Sequence, residues 1–176
     1  MSQIASKHKE QRVGVFVDVQ NLYYSARAIY KKKVNFKEVL RAAVADRKLI
    51  RAVAYVIKTD VFVKEKDFFE ALEKFGFEVR AKDLQIFYGG AKKGDWDIGI
   101  AMDTIEFAPK LDTVILVSGD GDFIPLVQHL KRAMSCKVEL VAFKKSASSK
   151  LIEEADDFID LGKDKKYLLQ IANAKI

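Results

Sequence analysis

The sequence predicts one three-layer α/β domain in which helices cover both faces of a mostly parallel β-sheet. Short, continuous runs of β-branched and other apolar residues alternate with stretches whose apolar residues recur at helical spacing. With 176 residues and 49% hydrophobic content, the chain is long enough for one well-buried core and short for two. Strands that alternate with helices in this way form parallel sheets with right-handed crossovers.

The elements of the first half are predicted from apolar runs and from helix-end signals. Asn35 stands at a helix N-cap position, and Glu38 follows three residues later as in a capping box. Gly76 stands just past a helical pattern, where a glycine commonly ends a helix. The predicted elements are strands over residues 13–17, 49–57, 77–81 and 84–87, and helices over 21–30, 36–48 and 63–75.

The second half continues the alternation after a glycine and lysine loop over residues 88–94. The next helix is predicted to end at Pro109 and to bury one apolar face. That face consists of Ile98, Ala101, Met102, Ile105 and Ala108. Strands are predicted over residues 113–117 and 138–143, and helices over 123–134 and 148–155. We expect a disordered N-terminal tail over residues 1–12, the domain over 13–161, and a C-terminal helical extension over 162–176.

Composition narrows the classes of function. The 31 Lys and Arg exceed the 25 Asp and Glu, which gives a net charge of +6 and fits a polyanionic partner. One cysteine, Cys136, and two histidines exclude an internal disulfide and a Cys/His zinc site. No secretory signal and no apolar run of the roughly 20 residues that span a bilayer is evident. We therefore expect a cytoplasmic protein with no membrane partner, and a homodimer through the C-terminal segment is plausible.

Acidic side chains follow the predicted strands at the points where ligands bind. In open parallel sheets the binding crevice lies beyond the carboxyl ends of the strands. Asp18 and Asn21 follow the first strand, Asp120 and Asp122 follow a later one, and Asp97 stands at the opening of a helix. Three segments far apart in the sequence are thus expected to direct oxygen ligands to one place.

Such a cluster of carboxylates indicates a divalent cation. Like charges oppose folding unless something positive lies between them. Oxygen ligands without thiol or imidazole suit Mg²⁺ or Mn²⁺, and this chemistry serves phosphodiester hydrolysis. The structural alternative is that Asp122 and Asn21 cap helices and that Asp97 favours a helix dipole. Asp18, at the end of an apolar strand, has no such role.

Four stretches together resemble the NYN domain family, in its LabA-like branch. They are VFVDVQNLY at residues 15–23, KGDWDIGIAMD at 93–103, LVSGDGDF at 116–123 and SKLIEEADDFI at 149–159. The similarity covers roughly residues 13–161 in order and at plausible spacing.

The resemblance implies a PIN-like fold and the active site of a metal-dependent ribonuclease. The family's catalytic residues would be Asp18, Asn21, Asp97, Asp120 and Asp122 in this chain. The four aspartates among them would hold Mg²⁺ or Mn²⁺.

Three further residues are expected to support this site. The common family pattern has one residue between the glycine and the helix aspartate, but here Asp95 and Trp96 both intervene, so Asp95 competes with Asp97 as ligand. Ser118 and Asp103 complete the supporting set. On an ideal helix Asp103 lies about 120° from Asp97 and nearly opposite the apolar face, so it is not expected to share a metal with Asp97.

Substrate contacts are expected from basic and aromatic residues beside the aspartates. Lys92 and Lys93 lie in the loop before Asp97 and are predicted to bind phosphate. Four aromatic residues are predicted to stack on unpaired bases, with core packing as the alternative for each: Tyr23, Tyr24, Tyr88 and Trp96. The predicted partner is RNA, single-stranded or structured.

The predicted function is therefore metal-dependent ribonuclease, and two alternatives stay open. The first is an RNA-binding regulatory module on the same fold that does not cleave. The second is a phosphatase with an aspartyl nucleophile at Asp18, although the second aspartate of such enzymes, two residues later, is Gln20 here.

Overall fold

The computed structural model describes residues 7–58 and 65–171. The strands are β1 (Arg12–Asp18), β2 (Lys33–Val34), β3 (Lys48–Lys58), β4 (Glu78–Asp83), β5 (Gln85–Ile86), β6 (Lys92–Lys93), β7 (Thr113–Val117), β8 (Lys137–Ala142), β9 (Asp157–Asp160) and β10 (Leu168–Leu169). The α-helices are α1 (Val19–Tyr30), α2 (Phe36–Val44), α3 (Glu65–Phe75), α4 (Asp97–Phe107), α5 (Ile124–Arg132) and α6 (Ser149–Glu154).

Six strands form the central sheet in the order β4-β3-β1-β7-β8-β9. Every neighbouring pair in this sheet is parallel, so all carboxyl ends meet at one edge. β1 lies in the middle because it is apolar on both faces and can be covered from both sides. β3 and β4 follow β1 in the chain and extend the sheet on one side of it, whereas the later strands β7, β8 and β9 extend the sheet on the other side. The carboxyl ends of β1 and β7 therefore border a switch point, where open α/β sheets place their ligands.

Two apolar clusters cover the two faces of the sheet and confirm the predicted three layers. Val15 and Val17 of β1 pack with Leu22 of α1 and Val39 of α2 in one cluster. The alternate residue Phe16 packs on the opposite face in the second cluster, which contains residues of α4, α5 and α6. This alternation follows from the two-residue period of a strand.

Most helix ends follow the local signals in the sequence. The Asn35 side chain accepts a hydrogen bond from the backbone N–H of Glu38, as predicted. Gly76 has a positive φ of 109° and follows α3 directly. The helix predicted to reach residue 48 ends earlier, at Val44, because Ala45 and Asp46 both adopt positive φ and redirect the chain into β3.

The predicted apolar face of α4 is only partly right. Ile98 and Met102 are 78% and 63% exposed, whereas Ile100, Asp103 and Thr104 are buried. The helix is rotated because the Asp103 carboxylate receives two hydrogen bonds in the interior. A buried carboxylate is tolerated when it is paired in this way.

The chain ends differ from the predicted tail and extension. Lys7 forms an ion pair with Asp157, and the Gln11 carbonyl accepts from Lys48, so only residues 1–6 of the predicted tail lie outside the described residues. Two single-turn 3-10 helices, Leu161–Lys163 and Lys165–Tyr167, replace the predicted helical extension and are followed by β10, which pairs antiparallel with β2. Residues 172–176 lie outside the description.

The region predicted as a strand and a lysine loop is a small hairpin in which β5 pairs antiparallel with β6. Among the described helices, none has both the length and the apolar character needed to cross a membrane.

Candidate metal centre

The loops after β1 and β7 are tied to each other by side-chain hydrogen bonds. Asp18 ends β1 and caps α1, because its Oδ1 accepts from the backbone N–H of Asn21 at 3.2 Å. The expectation that Asp18 has no capping role is therefore wrong, since the strand leads directly into the helix. The Ser118 hydroxyl donates to Oδ2 of Asp18 at 3.3 Å. The side-chain oxygen of Asn21 accepts from the backbone N–H of Gly119 at 2.9 Å. Asn21 is therefore not the helix cap that the structural alternative required, but a bridge between two loops.

Close packing restricts the residue after Ser118 to glycine. A Cβ on Gly119 would lie 2.9 Å from the backbone Cα of Ala147, a distance that real Cβ atoms do not adopt. The Gly119 carbonyl also accepts from the backbone N–H of Ser148 at 2.9 Å. The acidic loop is thus held from both sides, which orients Asp120 and Asp122.

Three aspartates converge beyond this loop. Asp97, Asp120 and Asp122 each offer a carboxylate oxygen, and these oxygens lie within 4.8 Å of one another. None of the three forms an ion pair with a lysine or arginine in residues 7–58 or 65–171. The convergence predicted for Asp97 with the residues after β7 is therefore present in the structure.

Asp18 lies on the wall of the same cavity. The cavity has a volume of about 240 Å³ and is lined by Asp18, Gln20, Asn21, Tyr24, Ser25, Asp95, Asp97 and Asp120. Asp18 is only 9% exposed. The three predicted segments thus meet at one cavity, with Asp18 outside the closest group of three oxygens.

The electrostatics of the cavity favour a bound cation. Burial raises the pKa of Asp18 to about 6, against the opposing effect of the hydrogen bonds from Asn21 and Ser118. Burial also raises the pKa of Asp97 to about 6, and the neighbouring charges of Asp120 and Asp95 add to the rise. Burial disfavours the ionised form of both carboxylates, and a divalent cation between them would favour it.

The donor set fits a hard divalent ion. All candidate ligand atoms are carboxylate oxygens, the ligands that Mg²⁺ and Mn²⁺ prefer. Asp97, Asp120 and Asp122 could hold such an ion, with Asp18 beside it. Asp95 lines the cavity but lies outside the group of three, and its Oδ1 accepts from the backbone N–H of Asp97 at 3.2 Å. The geometry therefore favours Asp97 over Asp95 as the ligand.

Two residues predicted near the site act elsewhere. The Asp103 carboxylate is buried behind α4, where it accepts from Tyr55 and Arg80. Trp96 donates its indole N–H to the Val56 carbonyl at 2.9 Å, and its ring lies 5.3 Å from that of Tyr55. Both side chains anchor α4 to the sheet, so the expectation that Trp96 stacks on a base is replaced by the packing alternative.

The remaining predicted contacts lie around the rim. Lys92 and Lys93 are exposed on β6, and Lys93 lines a second cavity of about 200 Å³ together with Asp95. Tyr23 is half-buried, whereas its neighbour Tyr24 is 47% exposed and lines the acidic cavity. Tyr24 lies three residues after Asn21 and therefore on the same face of α1.

Fold and site together define a three-layer α/β protein with a cluster of carboxylates at the carboxyl edge of a parallel sheet. Residues 12–162 match the NYN domain family, and the chain belongs to this family. The predicted resemblance is thereby confirmed.

Known proteins similar to this chain cover most of its length. The low amplitude and bright protein LabA of Synechococcus elongatus is 24% identical in an alignment 175 positions long, which covers 91% of this chain and 89% of that protein. The crystal structure of a protein of unknown function from Vibrio parahaemolyticus is 36% identical, with a TM-score of 0.83 over 93% of this chain and 99% of that one. The T5 D15 protein, co-crystallized with metal ions, has a TM-score of 0.47 at 12% identity, with 81% of this chain and 59% of that chain covered.

Proposed function

We propose that this protein is a divalent-metal-dependent ribonuclease that hydrolyses RNA phosphodiester bonds. The observation that carries the proposal is the convergence of carboxylate oxygens from Asp97, Asp120 and Asp122 within 4.8 Å. Membership of the NYN domain family supports it. Mg²⁺ or Mn²⁺ at these ligands would supply a water of lowered pKa and a counter-charge for the leaving oxygen.

The residues around the cluster have distinct roles in this proposal. Asp97, Asp120 and Asp122 hold the cation. Asp18 faces the same cavity, oriented by Asn21 and Ser118, and accepts hydrogen bonds from water or substrate. Asn21 also holds the loop that carries Asp120, through the backbone N–H of Gly119.

The proposed substrate follows from charge. The chain has a net charge of +6, and exposed Lys92 and Lys93 lie on β6, where they would attract the phosphate backbone. Lys93 beside Asp95 is the proposed phosphate contact closest to the cluster, and Lys92 precedes it on β6. A cytoplasmic location and a homodimer stay predictions.

The test is cleavage of structured and unstructured RNA with Mn²⁺. We expect the wild type to cut RNA only when metal is present, and the Asp18→Asn, Asp120→Asn double variant to be inactive while its circular dichroism stays native. The matched control is Asp46→Asn, Asp67→Asn, which makes the same chemical change at exposed positions away from the cavity. Equal cleavage by the double variant would contradict the proposal. RNA binding without cleavage by the wild type would favour the regulatory module.

A further inference from the structure

A third depression adjoins the acidic cavity. It has a volume of about 570 Å³ and is lined by Tyr24, Arg27, Ala28, Lys31 and Ile171. Tyr24 lines both depressions, so they adjoin along α1. The volume lies within the range of about 300–1,000 Å³ that is typical of small-molecule sites.

The aromatic ring between the two depressions is exposed and held in place. Tyr24 is 47% exposed, and its ring meets that of Tyr23 at 5.4 Å and 82°. Exposed aromatic rings in grooves that bind single-stranded nucleic acid stack on bases of any sequence. Tyr24 therefore offers such a platform beside the carboxylates.

Two positive charges continue the same face of the helix. Residues 24, 27, 28 and 31 follow helical spacing, and the stripe from Tyr24 to Lys31 is roughly 10 Å long at 1.5 Å per residue. Arg27 lies over the Tyr23 ring at 5.9 Å, and Lys31 donates to the Ala28 carbonyl at 3.1 Å. Neither forms an ion pair with a carboxylate within the described ranges. Both charges are thus oriented but not neutralised.

We propose that Tyr24, Arg27 and Lys31 form a subsite for one unpaired nucleotide of the strand that lies across the aspartates. The base stacks on Tyr24, and the guanidinium and ammonium groups contact the phosphates on either side. The nucleotide is unpaired because a base inside a duplex has no free face for a side chain. The position of the scissile bond rests on the proposed function, but binding at this subsite requires no metal.

The first test measures binding in EDTA, so that no cleavage occurs. The probe is a short fluorescently labelled single-stranded RNA, titrated by anisotropy between about 50 and 200 mM salt. The double variant Arg27→Gln, Lys31→Gln is expected to weaken binding roughly tenfold or more. The slope of the logarithm of affinity against the logarithm of salt concentration should flatten by about 1.4, at 0.7 for each lost phosphate contact. The matched control is Lys110→Gln, Lys137→Gln, which removes two exposed lysines at the amino-end edge of the sheet and is expected to bind like wild type.

The second variant separates stacking from charge. Tyr24→Leu is expected to weaken the binding of single-stranded RNA at least about fivefold. The salt slope and the affinity for a duplex of the same sequence should stay unchanged. Three results would each overturn the subsite. The salt slope could be unchanged in the Arg27→Gln, Lys31→Gln variant, Tyr24→Leu could lose as much affinity for the duplex as for the single strand, or the wild type could fail to bind RNA.

Cleavage and self-association distinguish this inference from its alternatives. If RNA binds through the stripe but is never cut with Mn²⁺, the proposed function fails and the subsite stands. If RNA is cut and the charge variant shows an unchanged KM, the subsite fails and the function stands. Sedimentation velocity covers a third outcome, because loss of self-association with unchanged RNA affinity would assign the surface to a second copy of the chain and overturn the proposal.

Discussion

The Tyr55 hydroxyl donates a 2.6 Å hydrogen bond to Oδ2 of Asp103 and so joins the central sheet to α4. Arg80 of β4 donates to the same oxygen at 2.5 Å. Trp96 rests against the Tyr55 ring, one residue before Asp97. This buried contact therefore positions the start of the helix that brings Asp97 to the other aspartates.

Tyr55→Phe is expected to lower the free energy of unfolding by about 1.5–3 kcal/mol, the usual value of a hydrogen bond to a charged group. Burial and the bond to Asp103 raise the pKa of Tyr55 far above its ordinary value, so the hydroxyl stays a donor at any physiological pH. Urea denaturation measures the effect. Tyr88→Phe removes a hydroxyl at a fully exposed position, and this control is expected to change stability by less than about 0.5 kcal/mol. Equal stability of wild type and Tyr55→Phe would contradict the anchoring role.

The same contact illustrates what the sequence can and cannot predict. The end of β7 at Val117 was predicted to the residue and the end of β1 at Asp18 to within one residue, because strands buried on both faces are continuous apolar runs. The meeting of their loops then followed from the geometry of a parallel sheet. The burial of Asp103 did not follow, because its partners Tyr55 and Arg80 lie 48 and 23 residues away in the sequence.

Short elements were missed for a related reason. β2 and β10 have two residues each, which is too short for a periodic pattern, and they exist only because they pair with each other across the fold. Asp18, Asn21, Asp120 and Asp122 could be placed at one edge of the sheet from the sequence, because they follow β1 and β7. The division of roles between Tyr23 and Tyr24 required the rotation of α1 about its axis, which adjacent positions alone do not define.

Asp18→Asn is expected to stabilise the metal-free protein at neutral pH. The pKa of Asp18 is raised from 3.8 to about 6, so the folded state holds this proton more tightly than the unfolded chain. The resulting stability is fully present below pH 3.8 and is lost as the pH rises through about 6. The variant should therefore exceed wild type by about 3 kcal/mol above pH 7, at 1.36 kcal/mol per pKa unit, and the difference should shrink toward pH 4.

Urea denaturation in EDTA at several pH values measures this difference. Asp46→Asn is the control, because it makes the same substitution at an exposed position outside the cavity. A stability difference between Asp18→Asn and wild type that stays constant from pH 4 to 8 would show that burial does not raise the pKa of Asp18.

Mn²⁺ is expected to raise the melting temperature of the wild type. An ion that binds only the folded state adds about 2.7 kcal/mol at one hundred times its dissociation constant. Asp120→Asn removes one of the three converging carboxylates and should reduce the shift strongly, whereas Asp46→Asn should keep it. Differential scanning calorimetry with and without Mn²⁺ measures both. An equal shift in Asp120→Asn and wild type would remove Asp120 from the ligands.

Gly99→Ala is expected to destabilise the protein, although alanine usually favours a helix by about 1 kcal/mol over glycine. The added Cβ would lie 2.5 Å from Cε3 of Trp96. That ring cannot move freely, because its N–H donates to the Val56 carbonyl and its centroid lies 5.3 Å from that of the Tyr55 ring. Overpacking of this kind costs about 1–3 kcal/mol, and displacement of Trp96 should also shift Asp97 and reduce the stabilisation by Mn²⁺.

A double-mutant cycle with Trp96→Leu identifies the cause of that destabilisation. If the clash with the indole ring is responsible, Gly99→Ala should cost less in the Trp96→Leu background, with a coupling energy of about 0.5–3 kcal/mol. Met102→Ala, at a 63% exposed position of the same helix, should change neither stability nor the Mn²⁺ response appreciably. A gain in stability for Gly99→Ala, as at an exposed helix glycine, would mean that the indole does not press on α4 and that Asp97 is positioned by other contacts.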